Sequence, residues 1–563
     1  MAKVSELPLA AHLDGEESVV FVQNGETRRG PVAHIDRLIA GGSRFRNLPS
    51  FGYYRGAAVV DAVLDPQGRL TAHATRTATY VRAVDPTATV LSGNRFRNLP
   101  SIGYIDGAAV TAAVLDPQGR ATSVQKRGER ALVAPPMPTY IGDGEGVGVT
   151  ADGRICYLLI ITGQSLAEGN STPIQPVLSA VPRYPGHALM LEPAVRLRTR
   201  VGLNKPAPPA TPIGMKLVDL IEAADAETFV WETAASSWAN HLIRMVEDKT
   251  GAPIRVAAMV AAMGATSLAQ LKRGSTTYGW LMRGVQDWAD ACRRQGLRPV
   301  VLAHNFCQGE SDVTNLTEAA DYGAGLIRYE RETGADFRAI TGQTEMIPMI
   351  VDAPQIVRSD VLPFDHNIVL AHDIAASNPD IVLGSSLYEL PRSMGEEIHP
   401  SAVGQVRRGI NLARIAFRHC FDGGFSPLAP TRWEKVDTTH IAVHFPRPVM
   451  FAGADEDVDA TGLPGYRGMI FTDRSSGATI PIIDHLWSGD SKTLTLTLSA
   501  PATGLSWRLA YALAGNDSDD RPGPRFGPRG LLRAINGAIV PPAGWPDADH
   551  TNYEWVRPFI LQF

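Results

Sequence analysis

A serine and a histidine on separate segments of the chain have neighbours that suit nucleophilic catalysis. Ser165 follows the apolar run 155–162 and the dipeptide Gly163-Gln164, so it is expected at the carboxyl end of a strand. Open α/β sheets bind their ligands at that edge. A serine hydroxyl is a weak nucleophile until a base removes its proton, and His399 is the candidate base. This pair predicts acyl transfer through a covalent acyl-enzyme.

Two carboxylates are candidates to orient the His399 imidazole. Glu396 lies three residues before His399 in the same predicted loop, so its carboxylate can fold back onto Nδ1 and leave Nε2 facing the serine. Glu310 follows a different predicted strand. The sequence favours Glu396 because the short chain separation costs little conformational entropy, and Glu310 stays open as the alternative.

Hydrogen-bond donors for an oxyanion follow two further predicted strands. Gly264 ends the apolar stretch 254–263, and its N–H can point at a developing oxyanion. Gln308 follows the apolar run 298–305 and offers a side-chain amide. With the N–H of Ser165 itself, the predicted oxyanion hole has three donors.

Metal and cofactor chemistry is not indicated. The histidines form no HxH or HExxH spacing and the four cysteines form no CxxC pair, so no metal site and no cofactor is predicted. Trp231, Tyr278 and Trp280 fall in predicted loops around the site. These aromatic side chains could stack on sugar rings, although core packing is the commoner role of such residues.

Alternating strands and helices must position these residues. The predicted strands are 155–162, 254–263, 298–305, 347–352 and 367–373, and the predicted helices are 234–249, 281–295, 316–332 and 401–421. This alternation predicts an α/β domain with a parallel sheet covered on both faces. Four further strands, separated by Gly, Pro and Asp turns, predict a C-terminal antiparallel β-sandwich, namely 438–445, 468–472, 493–498 and 507–513.

The N-terminal part of the chain contains a repeat. Residues 43–69 and 94–120 are identical at 21 of 27 positions. Each copy has an apolar run, 57–64 or 108–115, that ends in an Asp-Pro-Gln-Gly turn. The pattern predicts duplicated β-hairpins. They are interpreted as a structural spacer, with a carbohydrate or receptor contact as the alternative.

Taken in order, the four site segments resemble the SGNH/GDSL-type hydrolases, in particular the sialate O-acetylesterase-like carbohydrate acetylesterases. That group carries GQSN, GGTxI, QGExD and DxxH blocks, and this chain has GQSL (163–166), GATSL (264–268), QGESD (308–312) and EEIH (396–399). The chain departs from the pattern at Leu166, Ala265 and Glu396, where the group has Asn, Gly and Asp. The resemblance implies an SGNH-type fold over residues 154–421 and a Ser-His-Glu esterase that removes O-acetyl groups from a carbohydrate. In related esterases the carboxylate of the QGE block is also thought to orient the histidine, which keeps Glu310 in competition.

Residues 7–38 resemble a short β segment near the attachment region of phage and prophage tail proteins. This resemblance implies a virion or prophage-encoded tail or receptor-binding protein that deacetylates a bacterial surface polysaccharide and contacts other tail proteins. Tail fibres are usually trimers, so a homotrimer is considered, although no heptad region supports one. Two alternatives stay open: a catalytically inactive, glycan-binding tail protein, and a free bacterial esterase. The latter would be cytoplasmic because the start of the sequence has no Sec-type apolar region.

Composition excludes several other classes of protein. The chain has 563 residues, of which 44% are apolar and 20% charged, so sizeable cores can form. A net charge of −5 argues against a nucleic-acid partner, and the most apolar stretch, 256–271, is too short and polar to span a membrane. The predicted organisation is an attachment-like segment (1–40), a β-rich repeat region (41–150), an SGNH hydrolase domain (151–425) and a β-sandwich (426–563).

Overall fold

The structure is a computed structural model of the chain. Before residue 154 it describes residues 18–23, 26–31, 52–54, 57–64, 70–75, 78–80, 103–105, 108–115 and 121–126. After that it describes residues 154–170, 176–197, 215–224, 230–354, 367–392, 398–453, 457–504, 506–513 and 528–562. The chain divides into two compact units, Met1–Arg130 and Ala131–Phe563.

The described residues of the first unit form antiparallel strands. Strands β1 (Ser18–Gln23) and β2 (Glu26–Pro31) pair antiparallel, with Gln23 opposite Glu26. Strands β3 (Gly52–Tyr54) and β4 (Ala57–Leu64) of the first repeat form a four-stranded sheet with β5 (Leu70–Thr75) and β6 (Ala78–Tyr80), which follow the repeat. Strands β7 (Gly103–Ile105) and β8 (Ala108–Leu115) of the second repeat form a three-stranded sheet with β9 (Ala121–Lys126), which follows it. The predicted strands of both repeats are confirmed, and the turns between them lie outside the described residues.

The second unit begins with a parallel sheet. Its strands are β10 (Ile155–Gly163), β11 (Ala188–Leu191), β12 (Leu217–Asp219), β13 (Arg255–Ala262), β14 (Arg298–Cys307), β15 (Met349–Val351) and β16 (Ile381–Leu383). They lie in the order β12-β11-β13-β10-β14-β15-β16, and β12 is antiparallel to β11 while the other pairs are parallel. The predicted α/β fold with a parallel-sheet core is therefore confirmed, with β10 at its centre.

Helices follow most of these strands. They are α1 (Ser165–Glu168), α2 (Ala234–Thr250), α3 (Leu268–Leu271), α4 (Thr276–Arg294), α5 (Glu310–Thr314), α6 (Ala319–Thr341), α7 (Asn367–Ala375) and α8 (Ala402–Phe421). Helix α4 begins before the predicted residue 281 because Ser275 caps it, its side chain accepting the Tyr278 N–H at 3.1 Å.

One predicted strand is wrong. Residues 367–373 belong to helix α7, and the strand that completes the sheet is β16. Ile368, Ala371 and Ala375 are buried together at helical spacing, in a cluster that includes residues of α6. A short apolar run cannot by itself distinguish a buried helix from a buried strand.

The sheet is covered on both faces. Along β10, Tyr157, Leu159 and Ile161 pack in one cluster with α2 and α8, whereas the residues between them pack in a second cluster with α4 and α6. Helices α2 and α8 approach closely at Gly409, where a Cβ would lie 2.5 Å from the Ala234 carbonyl oxygen. All four cysteines of the chain are buried and free.

The C-terminal part of the second unit is antiparallel. Its strands are β17 (Arg432–Lys435), β18 (His440–His444), β19 (Val449–Phe451), β20 (Met469–Asp473), β21 (Ile482–Trp487), β22 (Thr493–Leu498), β23 (Trp507–Tyr511), β24 (Leu532–Ala534) and β25 (Phe559–Gln562). They form three sheets, β17-β18-β22-β21, β19-β24 and β20-β23-β25. The predicted strands of this region coincide with β18, β20, β22 and β23.

The two parts of the second unit share a core. Tyr388, which follows β16, packs in the cluster formed by the C-terminal strands, and its hydroxyl donates to the Val556 carbonyl at 2.9 Å. Within the described residues, no helix combines the length and apolarity needed to cross a membrane.

Candidate active site

Ser165 stands where the sequence predicted it, directly after the central strand. Strand β10 ends at Gly163, and Ser165 begins α1. Gly163 has φ +135°, and a Cβ there would lie 1.9 Å from the Cys307 carbonyl oxygen, so only glycine fits. The Gln164 N–H donates to the same oxygen at 3.1 Å. This contact fixes the turn that presents the serine at the carboxyl edge of the sheet.

Gly264 lies against Ser165. A Cβ on Gly264 would be 3.6 Å from the Ser165 Cβ. Its N–H donates to Glu168 Oε2 at 3.1 Å, so in this conformation the predicted oxyanion donor is bonded to a carboxylate. Ala265, which replaces a glycine of the resembled pattern, has φ +56°, a left-handed conformation that glycine adopts more readily.

The Gln308 amide is engaged with the protein. Gln308 is only 1% exposed, and its Nε2 donates to Asp312 Oδ2 at 2.6 Å and to the Thr266 carbonyl at 3.1 Å. Its Oε1 accepts the Tyr322 hydroxyl at 2.5 Å. These bonds join the turn after β13 to the segment after β14. They suit a residue that shapes the site, and its role as an oxyanion donor stays a prediction.

The carboxylate Glu310 is brought to the same edge of the sheet. It is buried in the first turn of α5. The N–H of the next residue, Ser311, donates to Gln164 Oε1 at 3.2 Å, so this segment is tied to the residue before the nucleophile. Asp312 connects this segment to α3, since its Oδ2 also accepts the Leu268 N–H at 2.8 Å.

His399 is half-buried just before α8. The next residue, Pro400, forms a bridge with Arg392, and the Ser401 N–H donates to the Pro391 carbonyl at 2.8 Å. The Ser401 hydroxyl then caps α8 by accepting the Gly404 N–H at 3.2 Å. Glu396 lies outside the described residues, so its pairing with His399 stays a prediction.

Helix α8 connects the histidine segment to the serine segment. Gln405 Nε2 and Arg408 Nη1 donate to the Leu166 carbonyl at 2.9 Å and 3.1 Å. Leu166 directly follows Ser165, and α8 begins three residues after His399. The two segments that carry the predicted nucleophile and base are therefore held together by side chains of one helix.

Arg408 extends this connection into the sheet. It is fully buried, and its Nε donates to Asp352 Oδ2 at 3.0 Å while Nη2 donates to Asn305 Oδ1 at 2.6 Å. The sequence motifs gave no indication of this network. Two signals were available: Asp352 ends a predicted strand, and Arg408 interrupts an apolar helix face.

A group of buried acidic side chains beside α1 was also not foreseen. Arg196 Nε donates to the Glu168 carbonyl at 3.0 Å, and its Nη2 lies 3.6 Å from Glu222 Oε2. Burial raises the pKa of Glu222. Burial and, secondly, the Glu222 charge raise the pKa of Glu232 to about 8.

The aromatic side chains expected around the site are not available to a sugar. Trp231, Tyr278 and Trp280 are 4%, 5% and 4% exposed. Tyr278 and Trp280 lie in α4, not in a loop, because that helix begins earlier than predicted. The expectation that they stack on sugar rings is wrong, and they are core residues. In the part of the chain that the structure describes, no group of three or more His, Cys, Asp or Glu side chains is placed to hold a metal ion.

Comparisons with known proteins return structural likenesses only. No protein-family model matches the sequence, and no curated protein matches it. A carbohydrate acetylesterase from Xanthomonas citri is 14% identical with a TM-score of 0.43, over 72% of this chain and 80% of that one. A protein from Arabidopsis thaliana is 18% identical with a TM-score of 0.33, over 47% and 98%. A carbohydrate acetylesterase from Sinorhizobium meliloti is 11% identical with a TM-score of 0.24, over 46% and 97%. None of these three matches bears on the resemblance of residues 7–38 to tail proteins, which stays a prediction.

Proposed function

We propose that this chain is a serine esterase in which Ser165 is the nucleophile and His399 the base. The observation that carries the proposal is the attachment of α8, the helix that follows His399, to the Leu166 carbonyl beside Ser165. Ser165 itself stands at the carboxyl edge of a parallel sheet, where such folds bind ligands.

The proposed reaction has two acyl-transfer steps. His399 accepts the Ser165 proton as Oγ bonds to the ester carbonyl carbon, and it then protonates the departing alkoxide. Water, deprotonated by the same histidine, attacks the acyl-enzyme, and the proton returns to Ser165 as the carboxylic acid leaves. The Ser165 N–H stabilises the oxyanion, and Gly264 joins it once its N–H is released from Glu168. Gln308 is the third proposed donor.

We extend the proposal to an O-acetyl group on a carbohydrate, because the GQSL, QGESD and EEIH segments resemble the blocks of carbohydrate acetylesterases. The further step, to a phage or prophage tail protein acting on bacterial surface polysaccharide, depends on the resemblance of residues 7–38. Contacts with other tail proteins and a homotrimeric state belong to that step.

A second candidate is a glycan-binding protein without catalytic activity. The bonds of Gly264 to Glu168 and of Gln308 to Asp312 favour it, because both use donors that the oxyanion would need. Release of acetate from an acetylated polysaccharide distinguishes the two: an inactive protein retains the polysaccharide and releases none.

The direct test is Ser165→Ala, assayed on p-nitrophenyl acetate and on acetylated polysaccharide. Turnover should fall at least about 10³-fold because no nucleophile remains, while the thermal unfolding temperature is unchanged. Ser311→Ala is the matched control, since the contact of Ser311 with Gln164 is made by its backbone N–H, and it should keep its activity. Full turnover by Ser165→Ala would rule out this nucleophile.

A second pair of variants in the same assay separates the two carboxylates. If Glu396 orients the imidazole, Glu396→Gln should lower turnover by about 10²–10⁴-fold and Glu310→Gln by much less. The reverse order would assign the role to Glu310. Mild effects in both would leave a Ser-His dyad and contradict both assignments.

A further inference from the structure

Two buried arginines line one small cavity where the sheet meets the C-terminal strands. Arg414 lies on α8 and Arg557 just before β25, and both are almost fully buried. The cavity also touches Ser385, Asn411 and Glu554. Its free space is about that of one water molecule or one small ion.

The hydrogen-bond partners of these two guanidinium groups are uncharged. Arg557 donates to the Val351 and Gly384 carbonyls at 2.9 Å and 2.7 Å, and its Nη2 lies 3.2 Å from His372 Nδ1. Burial lowers the pKa of His372 well below its ordinary value, so this histidine is neutral.

Arg414 has the same kind of environment. It donates to Asn411 Oδ1 and to the Asn552 carbonyl, each at 2.8 Å. Burial lowers the pKa of Arg414 and of Arg557 to about 10, so both remain cationic at neutral pH.

Nearby carboxylates compensate these charges only in part: the Glu554 charge acts on Arg414, and the Asp373 and Asp352 charges act on Arg557. The two oxygens of Glu554 accept from Arg418, at 2.9 Å, and from Arg447. Burial raises the pKa of Glu389 to about 8, so it is largely uncharged at neutral pH. Among the described residues, no carboxylate oxygen is within ion-pair distance of Arg414 or Arg557. A buried cation without a counter-charge is costly.

Two side chains of the cavity lining carry a buried polar atom that lacks a hydrogen-bond partner. These atoms are the Nε of Arg414, a side chain only 3% exposed, and the Oγ of Ser385. Both can donate a proton, so a single acceptor in the cavity satisfies both. A water molecule would supply the hydrogen bonds but would add no negative charge to a site where three arginines share the Glu554 carboxylate.

We propose that this cavity binds one small monovalent anion of chloride size, which accepts from Arg414 Nε and Ser385 Oγ in the field of Arg557. The anion neutralises part of the buried positive charge of Arg414, on α8, and Arg557, just before β25. It is a structural ligand, independent of the esterase reaction.

Bromide substitution is the direct test, because bromide replaces chloride and scatters anomalously. Crystals of the full chain soaked in bromide should show an anomalous peak within about 3.5 Å of Arg414 Nε, a hydrogen-bond distance widened for the larger ion. A cavity that holds only water, with no anomalous signal, would overturn the proposal.

Thermal unfolding tests it in solution. At constant ionic strength, the folding equilibrium constant of the wild-type protein should be about tenfold higher at a chloride concentration of about ten times the dissociation constant than in the absence of chloride. Arg414→Met should lose this dependence, and Arg244→Met, which removes a partly exposed arginine of α2, should keep it. Equal chloride dependence in all three proteins would contradict the site. If Arg414→Met does not fold, the bromide experiment on the wild-type protein decides.

Discussion

Helix α8 buries two arginines, Arg408 and Arg414, in surroundings of opposite character. Arg408 is paired with the Asp352 carboxylate at 3.0 Å and reaches the serine segment through the Leu166 carbonyl. Arg414, six residues later, is bonded only to amide and carbonyl oxygens beside a cavity. The difference shows that a buried arginine can fix a geometry when its counter-charge belongs to the fold. Where the fold supplies no direct ion pair, the buried charge is the one that the proposed anion would help to neutralise.

The largest effect on the unfolding free energy is expected at Arg408, the arginine that is paired with a carboxylate. Arg408→Met leaves Asp352 buried without its partner, which typically costs about 3–5 kcal/mol of unfolding free energy, measurable by urea denaturation. Esterase turnover should fall as well, because the Leu166 carbonyl loses one of its two side-chain donors. The double variant Arg408→Met/Asp352→Leu should recover part of the stability, since no isolated charge remains. A loss below about 1 kcal/mol in the single variant would show that the pair is not the organising contact.

An intermediate effect on the unfolding free energy is expected at Glu389, the buried carboxyl near the cavity. Its folded-state pKa of about 8 is above the ordinary value of 4.5, so the folded state holds this proton more tightly than the unfolded state. The contribution of Glu389 to stability is complete below about pH 4.5 and is lost as pH rises through about 8. Glu389→Gln should therefore flatten the decline in unfolding free energy between pH 5 and 8.5, an interval chosen to span about these two values. Glu232 contributes separately to that decline.

The control for this prediction is Glu434→Gln, which changes a half-exposed carboxylate on β17. It should leave the pH profile as in the wild-type protein. If the unfolding free energy of Glu389→Gln declined with pH as steeply as that of Glu434→Gln, the pKa of the buried Glu389 carboxyl would have its ordinary value.

The smallest effect is expected at Arg407, which is adjacent to Arg408 but faces the C-terminal loops. Its guanidinium lies 2.9 Å from Asp547 and 3.0 Å from Asp457, with 16% of the side chain exposed to solvent. Arg407→Met should lower the unfolding free energy by about 1–3 kcal/mol, less than Arg408→Met, because these three side chains are not fully buried and water partly screens them. Turnover should not change. A loss as large as that of Arg408→Met would mean that both sides of α8 depend equally on charge pairing.

Local patterns in the sequence were enough to place the central elements. Strands β10, β13 and β14 and helices α2 and α8 were predicted because each has an apolar run or a helical period of ordinary length. The failure at 367–373 has a physical reason, since that run is apolar enough for either a buried helix or a buried strand.

The site was predictable only in its parts. Ser165 and Gly264 follow strands, and the structure brings them together. The Arg408–Asp352 pair joins residues 56 positions apart, and no local pattern reveals such a partner. Likewise, the sequence does not show that Glu168 accepts the Gly264 N–H, because this bond depends on two turns meeting. The predicted pairing of Glu396 with His399 remains to be tested.

Tyr388 has a consequence for how this chain can be divided. It belongs to the segment after β16 but packs among the C-terminal strands, and Arg557 returns from those strands to the Val351 and Gly384 carbonyls. Removal of residues 426–563 would expose an aromatic core residue on one side and leave two strand-end carbonyls without their donor on the other. The α/β part is therefore not expected to fold independently of the C-terminal strands. A fusion of the α/β part to another protein would therefore have to include the C-terminal strands. Truncation near residue 425 should yield insoluble fragments.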